Sequence, residues 1–201
     1  MSVQLSAPAG LPAGFHRAVS ALSTVTLRPE VAVSELPAPQ RLAPYAVALQ
    51  ATVMRAGDEL AEGRLVVLHD PAGQAVWEGD TRCVAYLQAA IDVDIASDPM
   101  LPSVGWSWLT DALAAANAEH RAAGGTVTRT TSERFGALSE HPPAADVEIR
   151  ASWSPAGEDL GPHLVAFAEL LCSAAGLPPS TPGVLVMPGN RRPRRPRPAA
   201  G

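Results

Sequence analysis

Residues 146–153 read DVEIRASW, and this short run decides the architecture. In an extended chain Val147, Ile149, Ala151 and Trp153 fall on one side and Glu148, Arg150 and Ser152 on the other, because successive side chains point to opposite faces. One apolar and one wet face is the pattern of an antiparallel sheet covered on a single side. A strand inside a parallel sheet, buried on both faces, would be apolar throughout.

Working outward, TVTRTTSERF at 126–135 is a second strand, joined to the first by a loop containing HPP. Upstream, Tyr45, Val47, Leu49, Ala51 and Val53 alternate on one face, RLVVLH at 64–69 is a strand, and Arg82 to Ile91 is another. Asp70-Pro71-Ala72-Gly73 reads as a type I turn between them, and VAV at 31–33 adds an earlier strand. Phe15, Val19 and Leu22 recur at helical spacing and give a first helix, which Arg28-Pro29 ends. IDVDIASDPMLPS reads as a loop carrying Asp92, Asp94 and Asp98. After it, Pro102 or Ser103 opens a helix through VGWSWLTDALAAANAEHRAAGG, closed by Gly124-Gly125. Gly105, Ala112 and Ala116 lie at the centre of that helix's apolar arc, where small residues let it approach a sheet closely. Trp108 falls inside the arc as a core residue, whereas Trp106 lies at its polar margin with a face free for contact. A last helix carries Leu160, Leu164, Phe167, Leu170, Leu171 and Ala174 as its stripe, with Gly176 just past its end.

The order is therefore helix, strand meander, helix, two strands, helix. Segregated strands and helices indicate an α+β domain with a single antiparallel sheet and helices packed mainly on one face. Residues 1–12 and 189–201 lack periodicity and read as disordered tails around one domain over 13–188. The chain has 201 residues, 47% of them hydrophobic, enough for one sizeable core.

All 15 residues in the Lys+Arg count are arginine. The absence of lysine excludes the P-loop phosphate lysine, Schiff-base chemistry and Ser-Lys dyads. Arg191, Arg192, Arg194, Arg195 and Arg197 crowd the C-terminal tail, leaving ten arginines against 20 carboxylates in the body. So acidic a body repels phosphate backbones, and nucleic acid is a partner only through the tail. No stretch approaches 18 apolar residues and no secretory signal opens the chain, so a cytoplasmic protein without a membrane partner is expected.

Few residues suggest chemistry. His69-Asp70 at a strand end is the tidiest dyad, but neighbours on a strand face opposite ways. The plainer reading is that Asp70 starts the turn while His69 faces solvent or caps a carbonyl. The three aspartates of 92–98 miss the EF-hand spacing, and His120, His141 and His163 are scattered, so no metal and no cofactor is expected. His163 borders the apolar stripe of the last helix and reads as a hydrogen-bonded core-edge residue. Arg129 shares a strand face with Val127, Glu133 and Phe135, either as an anion-binding residue or paired with Glu133. Cys83 and Cys172 sit in apolar runs and read as buried free thiols.

Taken together, PQRLAPYA, GRLVVLHDPAG, RCVAYLQA, GWSWLTDAL, GTVTRTTSERFGAL, VEIRASWSP and LLCSAAGLPPSTPGV resemble the actinobacterial domain-of-unknown-function family 3000 over roughly residues 13 to 188. That resemblance implies a bacterial cytosolic setting, often near a ribonuclease D-like gene, and no activity. The element order is also similar to the type III secretion chaperone-like fold, whose members usually dimerise and bind proteins. With no catalytic motif, the expectation is a non-catalytic interaction or adaptor module, a homodimer or partner binder, using Trp106. A small-molecule enzyme or sensor with Arg129, His69 and Asp70 around a pocket is the alternative. An RNA-associated protein acting through the tail is a second.

Overall fold

Strand alternation builds one sheet, which the computed structural model describes over residues 10–179. Its elements are α1 (Ala13–Leu22), β1 (Val31–Leu36), β2 (Tyr45–Arg55), β3 (Asp58–Gln74), β4 (Gly79–Ile91), α2 (Val93–Ser97), α3 (Leu101–Ala115), β5 (His120–Ser132), β6 (Ala144–Pro155) and α4 (Gly161–Ala174). The six strands lie in the order β1-β2-β3-β4-β6-β5, every neighbour antiparallel. The expected tails lie largely outside the described residues, as do all five tail arginines.

The core lies where the alternation puts it. Val147, Ile149, Ala151 and Trp153 of β6 are buried, together with Leu49 and Val53 of β2, Leu65 and Val67 of β3, and Cys83 and Leu87 of β4. α3 and α4 cover this face, and Phe167, Leu164 and Leu171 of α4 are sealed against it. The opposite face is laid out in rows fixed by register. Gln50, Arg64, Tyr86, Arg150 and Thr126 form one row, and Thr52, Glu62, Gln88, Glu148 and Thr128 the next.

The register of the turns differs from the sequence reading. Asp70-Pro71-Ala72-Gly73 does not reverse the chain but bulges out of β3, since His69 pairs with Thr81 and Gln74 with Gly79. The reversal is a single 3-10 turn at Ala75–Trp77 closed by Glu78 in the left-handed region. IDVDIASDP is not all loop. Asp92 accepts from the Asp94 N–H at 2.8 Å and caps α2, and Asp98 accepts from the Met100 N–H at 2.8 Å. These side chains are spent on backbone N–H groups, the usual work of Asp before a helix.

Two helices close before the residues that looked like their stops, α1 at the end of the run GFHRAVSAL and α3 well short of its expected end. α1 ends at Leu22, where the Ser23 and Thr24 hydroxyls donate to the Ser20 and Ala21 carbonyls at 2.7 and 2.8 Å. α3 ends at Ala115, because Asn117 takes the left-handed conformation at φ 53° and Ala118 N–H bonds back to the Leu113 carbonyl at 2.9 Å. This is a Schellman closure, and it frees 120–125 to start β5. That strand ends at Ser132, and Phe135 lies beyond it, exposed. Trp106 and Trp108 are both half-buried at the margin of the core, and the sealed tryptophan is Trp153. The 15 residues of α3 lie along the edge of the sheet, so neither of its indoles reaches the middle.

Candidate functional site

Polar side chains converge at one end of the sheet, where α1 crosses the β3–β4 and β6–α4 connections. A cleft of about 560 Å³ opens there, floored by Phe15, Ala18, His69 and Leu160 and rimmed by Asp80, Thr81, Arg121 and Glu158. His69 neither faces solvent nor caps a carbonyl, the plainer expectation from the sequence. It lies on the helix-covered side of β3 and is only 8% exposed. Phe15 of α1 stacks on it, ring centroids 4.8 Å apart and planes within 8°.

The histidine is held by a hydrogen-bonded chain across the β3–β4 pair. Thr81 donates its hydroxyl to Asp80 Oδ1 at 2.9 Å, and its oxygen lies 3.0 Å from His69 Nδ1. A threonine hydroxyl has one proton. With that proton on Asp80, Thr81 must accept from His69 Nδ1–H, so the neutral ring carries its lone pair on Nε2. That atom makes no hydrogen bond among the described residues and is not sealed from solvent, so it opens into the cleft. Asp70 takes no part. Its Oδ1 accepts from Ala72 N–H and its Oδ2 from the Gln74 amide, both at 3.1 Å, which holds the bulge.

The rim carries positive potential of two kinds. α1 begins at Pro12 without a side-chain cap, and its first internal bond is His16 N–H to the Pro12 carbonyl at 2.8 Å. The N–H groups of Gly14 and Phe15 precede that bond and point outward, at the positive end of the helix dipole. Arg121 donates to the Glu78 carbonyl at 3.3 Å and has no ion-pair partner among the described residues. Of the carboxylates, Asp80 is engaged by Thr81 and Glu158 lies 3.5 Å from Arg17.

The other expected site residues lie elsewhere. Arg129 is not paired with Glu133. Its guanidinium donates to the Ala96 carbonyl at 3.2 Å and the Asp98 carbonyl at 2.6 Å, and so closes the C-terminal end of α2 onto β5. The strand stops before Glu133, which removes the expected partner. Trp106 lies over Gly125 of β5, where an added Cβ would fall 3.0 Å from the indole. With Pro102, Ser103 and Val127 it lines a groove of about 360 Å³ between α3 and the edge strand.

His163 is buried at 2% exposure and accepts from Trp153 Nε1–H at 3.0 Å through Nδ1. Burial, helped by His120, lowers its pKa to about 4, so the ring is neutral. Cys83 and Cys172 are free and buried, and burial pushes each thiol up to about 12. Neither is a thiolate near neutral pH. Among the described residues no three His, Cys, Asp or Glu side chains gather to hold a metal, and no helix is long and apolar enough to cross a membrane.

The sequence named His69 but missed Thr81, Asp80, Arg121 and Phe15. The missed groups come from three separate elements and share no motif. A family model described as Protein of unknown function (DUF3000) matches residues 11–185. No curated protein and no solved structure matches.

Proposed function

The chain belongs to the DUF3000 family, and from that premise, which carries no activity, we propose that it is a non-catalytic protein-interaction module whose partner is a second copy of itself. The observation that carries the reading is the edge strand. β5 is 13 residues long, β6 is the one strand paired with it among the described residues, and the hydrogen bonds it makes elsewhere involve Arg121, Ala122 and Arg129. An uncovered edge of this length presents a row of unpaired N–H and C=O groups, and pairing with another strand satisfies them.

The sequence of β5 suits its own antiparallel image. A two-fold axis through Val127 sets Thr126 opposite Thr128, Gly124 opposite Thr130, and Gly125 opposite Arg129. Cross-strand threonine pairs are favourable, and no like charges meet. Directly opposed residues share a face, so the arginine of one copy reaches the side on which Trp106 covers Gly125 of the other. The sheet then continues through the dimer, with the two grooves on either side of the junction.

The proposed setting is the actinobacterial cytoplasm, and the structural analogy is the type III secretion chaperone-like fold, whose members usually dimerise. The tail arginines serve as an auxiliary contact. Paired substitutions test the register, since Thr126 and Thr128 are exposed on the helix-free face and tolerate charge. In sedimentation equilibrium the wild type should dimerise. T126K/T128K, which opposes lysines, should be monomeric, and T126E/T128K should dimerise. A monomeric wild type, or two variants that associate equally, overturns the reading.

A further inference from the structure

We propose that the His69 cleft is a binding site for a small organic monocarboxylate, an inference that does not rest on the β5 pairing. A carboxylate that binds together with a proton, taken up at the bare Nε2 of His69, meets three donors. His69 lies on the floor, the first-turn N–H groups of Gly14 and Phe15 line it from α1, and Arg121, which has no ion-pair partner among the described residues, lines it from β5. In the imidazolium form the ring donates Nδ1–H to Thr81 and Nε2–H to the ligand, and Asp80 at the far end of the chain balances the ring's charge. The stack of Phe15 fixes the plane of the imidazole, so its donor direction is set before the ligand arrives.

Size and charge define the class. At about 560 Å³ the cleft is in the range that holds small molecules, and its floor of Phe15, Ala18 and Leu160 takes a hydrocarbon body. Asp80 and Glu158 also line the rim, so a second negative charge on the ligand would be repelled. That disfavours phosphate and dicarboxylates relative to a single carboxylate.

The test is a titration of the full-length protein followed by ¹⁵N and ¹H shifts of the histidine rings. The probes are benzoate and hexanoate, with benzamide and hexanamide as uncharged matches and inorganic phosphate as the small dianion. The acids should move the His69 ring signals saturably while leaving His163 unmoved, and should bind at least ~10-fold more tightly than their amides and than phosphate. H69Q should lose that preference. Because His69 is packed against Phe15 and its replacement can disturb the fold, R121Q at the exposed rim is the second variant, and it should weaken the acids without weakening the amides. Amides binding as well as acids, phosphate binding best, no shift at His69 up to ~10 mM, or unchanged preference in R121Q each overturn the proposal.

Discussion

His163 and His69 are both buried histidines on the helix-covered side of the sheet, yet hydrogen bonds of opposite sense put their protons on opposite nitrogens. Trp153 donates to Nδ1 of His163, which leaves the proton on Nε2. Thr81 accepts from Nδ1 of His69, which leaves Nε2 bare and open to the cleft. The first histidine closes a core, and the second offers a nitrogen to whatever enters. Burial by itself does not distinguish the two; the partner's donor or acceptor character does.

Breaking the sealed histidine should have the largest effect. Trp153 is fully buried, and Trp153→Ala should cost about 3–5 kcal/mol in chemical denaturation through the cavity it leaves. Trp153→Phe keeps most of the volume but leaves the Nδ1 acceptor unmet, and about 1–3 kcal/mol is expected.

The pH dependence comes next. The pKa of His163 is about 4 in the fold against 6.5 for the free side chain. Between those values the unfolded chain binds a proton that the folded chain refuses, so stability is full above about pH 6.5 and declines as the pH falls towards 4. The loss across that window should be about 3 kcal/mol. Denaturation midpoints measured from pH 7 to 4 should show the slope in the wild type and a flatter one in His163→Gln.

The smallest effect sharpens the contrast from the other side. Thr81→Val removes a hydrogen bond that is only partly buried, so its stability cost should stay within about 1 kcal/mol. The ring nitrogen shifts of His69 should nevertheless change, because Nδ1 loses the acceptor that holds its proton. An unaltered tautomer in this variant would show that Phe15 packing alone orients the ring.

The ends of α3 and α4 show how much could be read locally. Both close by the same Schellman geometry, with Leu177 N–H bonding the Cys172 carbonyl at 2.9 Å as Ala118 N–H bonds that of Leu113. Gly176 announces the first closure, since glycine adopts positive φ without cost. Asn117 does the same work at α3, but asparagine is tolerated within helices and the run AEHRAA continues in good helix formers, so the helix reads to Ala123 where it ends at Ala115. The glycine pair that looked like its stop is part of β5.

The candidate site was legible only at His69, and its surroundings were misread for a related reason. Asp-Pro-Ala-Gly has the composition of a turn, but the β3–β4 register places it in a bulge and moves the reversal to Ala75–Glu78. That shift is what brings Thr81 opposite His69.

The sequence by itself determined the six strands, the buried sides of β2 and β6, the stripe of α4 and the burial of both cysteines. Each of these follows from a period of 2.0 or 3.6 residues and the transfer of apolar area from water, which are properties of a local segment. Only the tertiary structure decided that His69 would meet Thr81 across the sheet, that Arg129 would bond the end of α2 and not Glu133, and that β5 would lie at the edge. Those contacts join residues 12 to 33 positions apart. A pairing slip of one residue turns every side chain to the other face, so polar partners are fixed by register and by which strand lies beside which.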